Sequence, residues 1–488
     1  MEERKGFGTN FGFLMASVGS AVGLGNIWGF PNKMGASGGF TFLIVYLVLA
    51  VLCGFIVMVS ELALGRKTGK GVVSAYQALS KRFKWVGWLG ILSPFFILFF
   101  YCALGGYCIK YTVLNIGDLF HASFGANALA ETAVANGHSL GAEVFGAFMS
   151  SPTEAIIFGL IFVALTMLIV MGGVSGGIEK VCSVGMPALF VMLLICIIRA
   201  CTLEGAVDGL KYMFVPGWAV ANGVIDEAPN FFGVLSAAGG QMFFSLSLGM
   251  GIMITYGSYL DKKENLQKNA LLIIIMDTLV ALMAGLCVIP GRFALDPTGS
   301  LGGPKLLFVT MQNVFSRMGP IGPIFGILFY LLVVFAAISS SISLLEAVVA
   351  HFVDNARDAG KGDKRKAYAL IAAVAVGVGA MLICADSLGE ASFTPWRLLN
   401  LPAESIRTWN DCWLDFFDML SEGIMMPLGA LMMTLMVGWE LGPDVVKDEC
   451  EASGHAMASY GFYKVCIKYI TPLCMILVLY GQIKEFFF

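Results

Sequence analysis

Three glycines and an asparagine stand in the middle of an apolar run long enough to cross a bilayer. Residues 19–26 read Gly-Ser-Ala-Val-Gly-Leu-Gly-Asn, inside a stretch from Gly6 to Asn32 without a charge. Each glycine destabilises a helix by about 1 kcal/mol relative to alanine. A helix interrupted there exposes N–H and C=O groups that only protein, water, an ion or a bound solute can satisfy. Such breaks at the membrane midplane point to a transport site. Residues 240–251, Gly-Gln-Met-Phe-Phe-Ser-Leu-Ser-Leu-Gly-Met-Gly, interrupt a second apolar run in the same way. Close packing through small residues is the alternative reading of either segment. A serine cluster, Ser339-Ser340-Ser341 and Ser343, lies in a third run. Its hydroxyls suit a hard cation such as sodium, or bond back to their own helix. Asp277, the one charge between Asn269 and Gly291, is a functional-site candidate by its depth, or else a hydrogen-bonded protonated acid. Glu61 and Glu346, nearer the ends of their runs, read as structural hydrogen-bonders.

The elements that must position these groups are membrane helices. Hydrophobic residues make up 58% of the 488 and charged residues 13%, with mean hydropathy +0.82; soluble domains carry about 25% charged residues. Charge-free runs recur at Gly6–Asn32, Phe40–Ser60, Val86–Ile109, Ala155–Ile178, Val181–Ile198, Ala228–Leu260, Gly319–Leu345, Ala367–Ala385 and Gly423–Trp439. With Asn269–Gly291 and a last span near Gly461–Gln482, the expectation is eleven helices in one all-α integral membrane domain, residues 1–488. The first helix lacks the cleavage pattern of a signal peptide and is expected to be retained. The breaks fall in the first and sixth helices, five apart. This predicts a 5+5 inverted repeat, about 6–200 and 228–440, with an eleventh helix at about 457–485. The 66–84 loop carries six basic residues and no acid, whereas the 117–153 loop has no Lys or Arg. Positive-inside then puts the N-terminus in the cytoplasm and, after eleven crossings, the C-terminus outside the cell membrane. Twelve scattered cysteines form no C-x-x-C pair, which argues for packing roles. The net charge of −3 says nothing about nucleic acid and no basic stripe suggests it, so no nucleic-acid partner is expected, and no obligatory protein partner is inferred.

The run Gly-Ser-Ala-Val-Gly-Leu-Gly-Asn-Ile-Trp (19–28) before Phe30-Pro31 resembles the first-helix signature of the neurotransmitter:sodium symporters, which have the LeuT fold. Ser-Leu-Ser-Leu-Gly (245–249), Ser-Glu-Leu-Ala-Leu-Gly-Arg (60–66) and the Gly177–Pro187 spacing resemble that family's helices 6, 2 and 5, and the length resembles its bacterial branch. The resemblance implies two sodium sites. The first would use the Ala21 carbonyl, Asn26, Ser245 and Asp277 with the substrate carboxylate. The second would use the carbonyls of Gly19, Val22 and Ala336 and the hydroxyls of Ser339 and Ser340. It implies that the substrate carboxylate meets the amides of Leu24 and Gly25 and the hydroxyl of Tyr101. The substrate amine would meet the carbonyls of Ala21 and Phe244 and the hydroxyl of Ser247. The side-chain pocket would be Ile97, Tyr101, Phe244, Met250, Ser340 and Leu344. The inner gate implied is Arg4 with Asp354, near Tyr259 and Ser258.

Departures from the family pattern refine the substrate. Relatives that carry monoamines place an aspartate at the position of Gly23, so a glycine there means that the substrate brings its own carboxylate. The expected function is sodium-coupled uptake, by alternating access, of an α-amino acid that is hydrophobic and bulky or aromatic. Alternatives are another zwitterion (a betaine or ω-amino acid) and a non-transporting amino-acid sensor. An enzyme is not expected, because no nucleophile–base arrangement or nucleotide motif occurs. Chloride is not expected either: chloride-dependent relatives pair an asparagine with a serine where this chain has Asp277 and Ala281. Relatives also carry a basic residue at Gly29, paired with an acid that matches Asp418. Asp418 is therefore expected to stay hydrated, to recruit Arg397 or Arg407, or to leave room for a larger substrate.

Overall fold

The computed structural model describes residues 6–298, 303–362, 364–399 and 410–487. Among them, nine continuous helices are long and apolar enough to cross a membrane: α2 (Phe40–Thr68), α3 (Val86–Leu119), α4 (Pro152–Met171), α5 (Val174–Cys201), α7 (Leu266–Leu295), α8 (Gly319–Asp358), α9 (Arg365–Gly389), α10 (Trp413–Leu441) and α11 (Tyr460–Lys484). Two interrupted helices complete the set. α1 consists of Asn10–Ala21 and Gly25–Ala36, bent by 45°. α6 consists of Phe231–Ser245 and Ile252–Gly257, joined by residues 246–251. The all-α architecture thus has two five-helix halves, each opening on an interrupted helix, with α11 appended.

α8 packs along α3; α3, α4 and α9 pack on one another; α5 lies on α7, and the second half of α6 lies on α2. This scaffold surrounds both interrupted helices: every described residue from Gly12 to Pro31 is buried except Leu14, Met15 and Trp28. Lipid-facing sides are apolar, with Ile157, Leu168, Val191, Ile371 and Val378 all exposed. Ten of the twelve cysteines are buried free thiols.

One boundary differs from expectation. The charge-free runs place the α4–α5 connection at Glu179-Lys180, but the turn falls at Gly172-Gly173, where Gly173 has φ +80°. Backbone permissiveness decided the turn, not charge. Glu179 is kept inside α5 because its carboxylate has partners: it accepts from the Gly8 amide (2.7 Å) and the Thr9 hydroxyl (2.9 Å), tying the start of α1 to α5. Several helices also run past the apolar runs. α3 reaches Leu119 and α8 reaches Asp358, because a charge ends hydropathy without ending a helix that emerges from the membrane.

Candidate functional site

α1 stops at Val22, whose φ/ψ of −76°/103° is extended, and resumes as a π-helical turn over Gly25–Gly29. The backbone groups freed by the break find side chains of α1 itself and of three other helices. The Gly23 amide donates to Asn26 Oδ1 (3.0 Å) and the Leu24 amide to the Tyr101 hydroxyl of α3 (2.8 Å). The Gly25 carbonyl accepts from Gln241 Nε2 (2.7 Å) and the Ser20 carbonyl from Ser247 Oγ (3.0 Å), both of α6. On the α8 side, Ser340 Oγ lies 3.2 Å from the Gly19 carbonyl and 3.3 Å from that of Val22. Ser339 Oγ lies 3.0 Å from the Ala336 carbonyl and 3.4 Å from Val22. The five oxygens expected for the second sodium site therefore converge between α1 and α8. All are neutral, so a cation gathered there meets hard donors without the cost of a buried countercharge.

The break in α6 is held differently. Ser247 has φ +54°, a strained backbone for a residue with a side chain, and its hydroxyl bond to Ser20 holds it. Gly249, at φ +75°, donates its amide to Glu61 Oε1 of α2 (2.8 Å), and a Cβ there would overlap the Met426 carbonyl. Glu61 thus caps the unwound stretch. Glu346 accepts from the Tyr259 hydroxyl (2.6 Å) and pairs with Arg365 (2.6 Å). Both glutamates are hydrogen-bonders within the structure.

Asp277 of α7 lies beside the α1 break and is fully buried. Asn26 Nδ2 donates to its Oδ1 (2.7 Å), and Ser245 Oγ lies 2.9 Å and 3.1 Å from its two carboxylate oxygens. The Tyr46 hydroxyl donates from 3.3 Å. Asn26, Ser245 and Asp277, expected at the first sodium site, are one hydrogen-bonded cluster. Tyr46, of α2, joins them through its hydroxyl.

Between these two clusters lies a cavity of about 20 Å³ lined by Ser20, Ala21, Gly23, Gly25, Ile97, Tyr101, Phe244, Ser247, Met250, Ser340 and Leu344. It gathers every expected side-chain pocket position and adds Ser20 and Gly23. Leu24 and Ser245 stand immediately behind the wall, on the Tyr101 and Asp277 bonds. The volume is that of about one water, so a larger solute requires the lining side chains to move; the Phe244 ring centroid lies 6.4 Å from that of Tyr101. Gly23 is held tightly, since a Cβ on it would overlap Ser340 Oγ and the Tyr101 hydroxyl.

At one end of the site a second cavity, of about 360 Å³, opens between the second half of α1 and α10. Trp28, Lys33, Asp418 and Glu422 are among the residues lining it. Gly29 faces Gln241, whose Oε1 would stand 2.8 Å from a Cβ. Lys33, four residues on, pairs with Glu422, four residues beyond Asp418. Sequence reasoning overlooked this pair because it examined only positions 29 and 418. Arg397 is exposed and donates to the Ala391 carbonyl (2.8 Å). Arg407 lies outside the described residues, as does Arg4. At the opposite end Asp354 accepts from the Gly71 amide (2.9 Å), while Tyr259 packs edge-on against Phe7.

Comparison with known proteins agrees with this geometry. The sodium:neurotransmitter symporter family matches residues 4–127 and 154–395. An uncharacterised sodium-dependent transporter, YhdH of Bacillus subtilis, is 31% identical over 485 residues, 96% of each chain. Another, MJ1319 of Methanocaldococcus jannaschii, is 29% identical over 458 residues, covering 91% of this chain and 84% of that one. The crystal structure of MhsT in complex with L-phenylalanine superposes with a TM-score of 0.81 at 31% identity, over 98% of this chain and 100% of that one. Two helices interrupted side by side, with satisfied backbone around neutral oxygen clusters, are what a carrier of this kind needs, and with these matches the chain belongs to the sodium:neurotransmitter symporter family as a multi-pass, sodium-dependent membrane transporter.

Proposed function

We propose that this protein couples two sodium ions to the uptake of a large hydrophobic α-amino acid. The observation that carries the reading is the packing of Gly23. A side chain there would overlap Ser340 and Tyr101, so the chain supplies no carboxylate on the cavity and the substrate brings one. That carboxylate would be held by the Leu24 and Gly25 amides, at the start of the resumed helix, and by Tyr101, since a helix N-terminus favours an anion. It would also complete the first sodium site with the Ala21 carbonyl, Asn26, Ser245 and Asp277. The Gly19, Val22, Ala336, Ser339 and Ser340 oxygens would hold the second ion. The amine would be met by the Ala21 and Phe244 carbonyls and by Ser247. The wall of Ile97, Phe244, Met250 and Leu344 is apolar, and methionine adapts its shape to bulky groups. The structural neighbour MhsT was solved with L-phenylalanine, which agrees with a bulky substrate.

Because ion and substrate carboxylate share a site, each favours the other, and the coupling is reciprocal. A thermal-shift screen of the twenty amino acids tests this. Phenylalanine, tryptophan or leucine should raise the melting temperature in sodium buffer and not in potassium, since a bound ligand stabilises by RT ln(1 + [L]/Kd). Stabilisation by glutamate or lysine alone would refute the substrate class, and equal shifts in both buffers would refute the coupling. Uptake into proteoliposomes then separates a carrier, which accumulates the amino acid, from a sensor, which only binds it.

Chloride should be dispensable. The Asp277 carboxylate, 2.7 Å from Asn26 and 2.9 Å from Ser245, would supply the negative charge that an anion otherwise provides beside the first sodium. Replacing chloride by gluconate should leave uptake within about twofold, the scale of a few tenths of a kcal/mol. A large loss would overturn the assignment.

The basic loops at 66–84 and 261–268 support an N-terminus in the cytoplasm and a C-terminus outside. In this orientation the vestibule at Lys33 opens outward. Arg4, Asp354 and Tyr259 would then close the inner side.

A further inference from the structure

We infer that the outer gate of this carrier is the Lys33–Glu422 ion pair, its cation one helical turn outward of position 29 on α1 and its acid one turn inward of Asp418 on α10. The inference rests on the transport reading above. Four observations carry it. A Cβ at position 29 would stand 2.8 Å from Gln241 Oε1, so a side chain there must displace Gln241, whose Nε2 holds the Gly25 carbonyl. The nearest cation along α1 is Lys33, eight residues past Gly25 and so about 12 Å farther along the helix. Its ammonium meets Glu422, and both line the vestibule above the substrate cavity.

Glu422 is also built into its place. It lies within a π-helical stretch of α10, Met419–Met425, a distortion frequent at functional positions. A Cβ on Gly240 of α6 would be 3.0 Å from its Oε1 and 2.9 Å from Gln482 Nε2 of α11. The glutamate therefore sits where α6, α10 and α11 meet, with a side chain only 8% exposed against 25% for Lys33. Asp418, one turn nearer the outer end of α10, lines the same vestibule. A half-buried pair of this kind spans the second half of α1 and α10. Its formation closes the vestibule over Phe244 and Tyr101, and its rupture leaves a carboxylate uncompensated.

The test reads access to the site and needs no amino acid. Leu344→Cys places a thiol in the wall of the substrate cavity, below the pair. A membrane-impermeant methanethiosulfonate is applied from outside to right-side-out vesicles in potassium buffer, with the chain lacking this thiol as background. Lys33→Met and Glu422→Gln should each accelerate labelling about tenfold, and the double variant K33E/E422K should restore the slow rate. Asp418→Asn should change it less than about threefold. Restoration by the charge reversal shows that the single variants still fold. Labelling that is absent or unaffected by the single variants, or accelerated by Asp418→Asn alone, would overturn the gate. Sodium-dependent amino-acid uptake, measured on the same vesicles, judges the transport reading separately. Uptake with flat labelling rejects only the gate. Gated labelling without uptake rejects only the substrate assignment.

Discussion

Tyr101→Phe should lower both amino-acid affinity and sodium-dependent uptake about a hundredfold. The substitution keeps the ring, and with it the packing beside Phe244. It removes one oxygen, which accepts the Leu24 amide at 2.8 Å in the interior. Leaving a buried donor without an acceptor costs about 1–3 kcal/mol, and a hydrogen bond to a charged group contributes about 1.5–3 kcal/mol. The substrate carboxylate would lose the second while the protein bears the first. A combined loss of about 3 kcal/mol corresponds to about two powers of ten. Equilibrium binding of radiolabelled phenylalanine in saturating sodium measures the effect. A change smaller than about threefold would remove Tyr101 from the carboxylate site.

Asp277→Asn should be of similar size, and it should look different. Asn26 donates to one carboxylate oxygen, and Ser245 and Tyr46 supply hydroxyls to the pair. An amide offers only one acceptor oxygen, so its NH₂ must face a hydroxyl or the Asn26 NH₂, and the negative charge beside the first sodium is gone. Removing one partner from such a buried network costs about 1–3 kcal/mol, more where a charge is involved. Sodium activation of substrate binding should move to concentrations higher by ten- to hundredfold, about 1.4–2.7 kcal/mol. Added chloride, unlike gluconate, should recover part of the loss by supplying the missing anion. An unchanged sodium dependence would place the first ion elsewhere.

Much of this site is legible in the chain because the features that build it conflict with their surroundings. Glycines at 19, 23 and 25, hydroxyls at 245 and 247, serines at 339 and 340 and an acid at 277 all stand where continuous apolar helix would be cheapest. Charge-free length located the spans for the same reason. What stayed hidden depends on partners distant in sequence. Glu179 reads as a helix-ending charge until Gly8 and Thr9 are seen to satisfy it. Glu61 reads as a structural hydrogen-bonder, but its partner, the Gly249 amide 188 residues away, appears only in the fold. Lys33 and Glu422 lie 389 residues apart, and no local period relates them.

The tight seat of Gly23 also constrains how this protein can evolve. A carrier that places an aspartate at this position can recognise amines without a carboxylate, yet here the first step of that route is blocked. The new side chain would collide with Ser340 and Tyr101, and each of those already satisfies backbone of the broken helix. Trimming either one first would expose a carbonyl or an amide of α1 before any new specificity arose. The substitutions are therefore contingent on one another: the single changes lead through poorly functioning intermediates, and only a combined change at 23, 101 and 340 crosses to the other substrate class. Libraries that randomise the three positions together should yield amine carriers, whereas scanning them singly should return only impaired transporters.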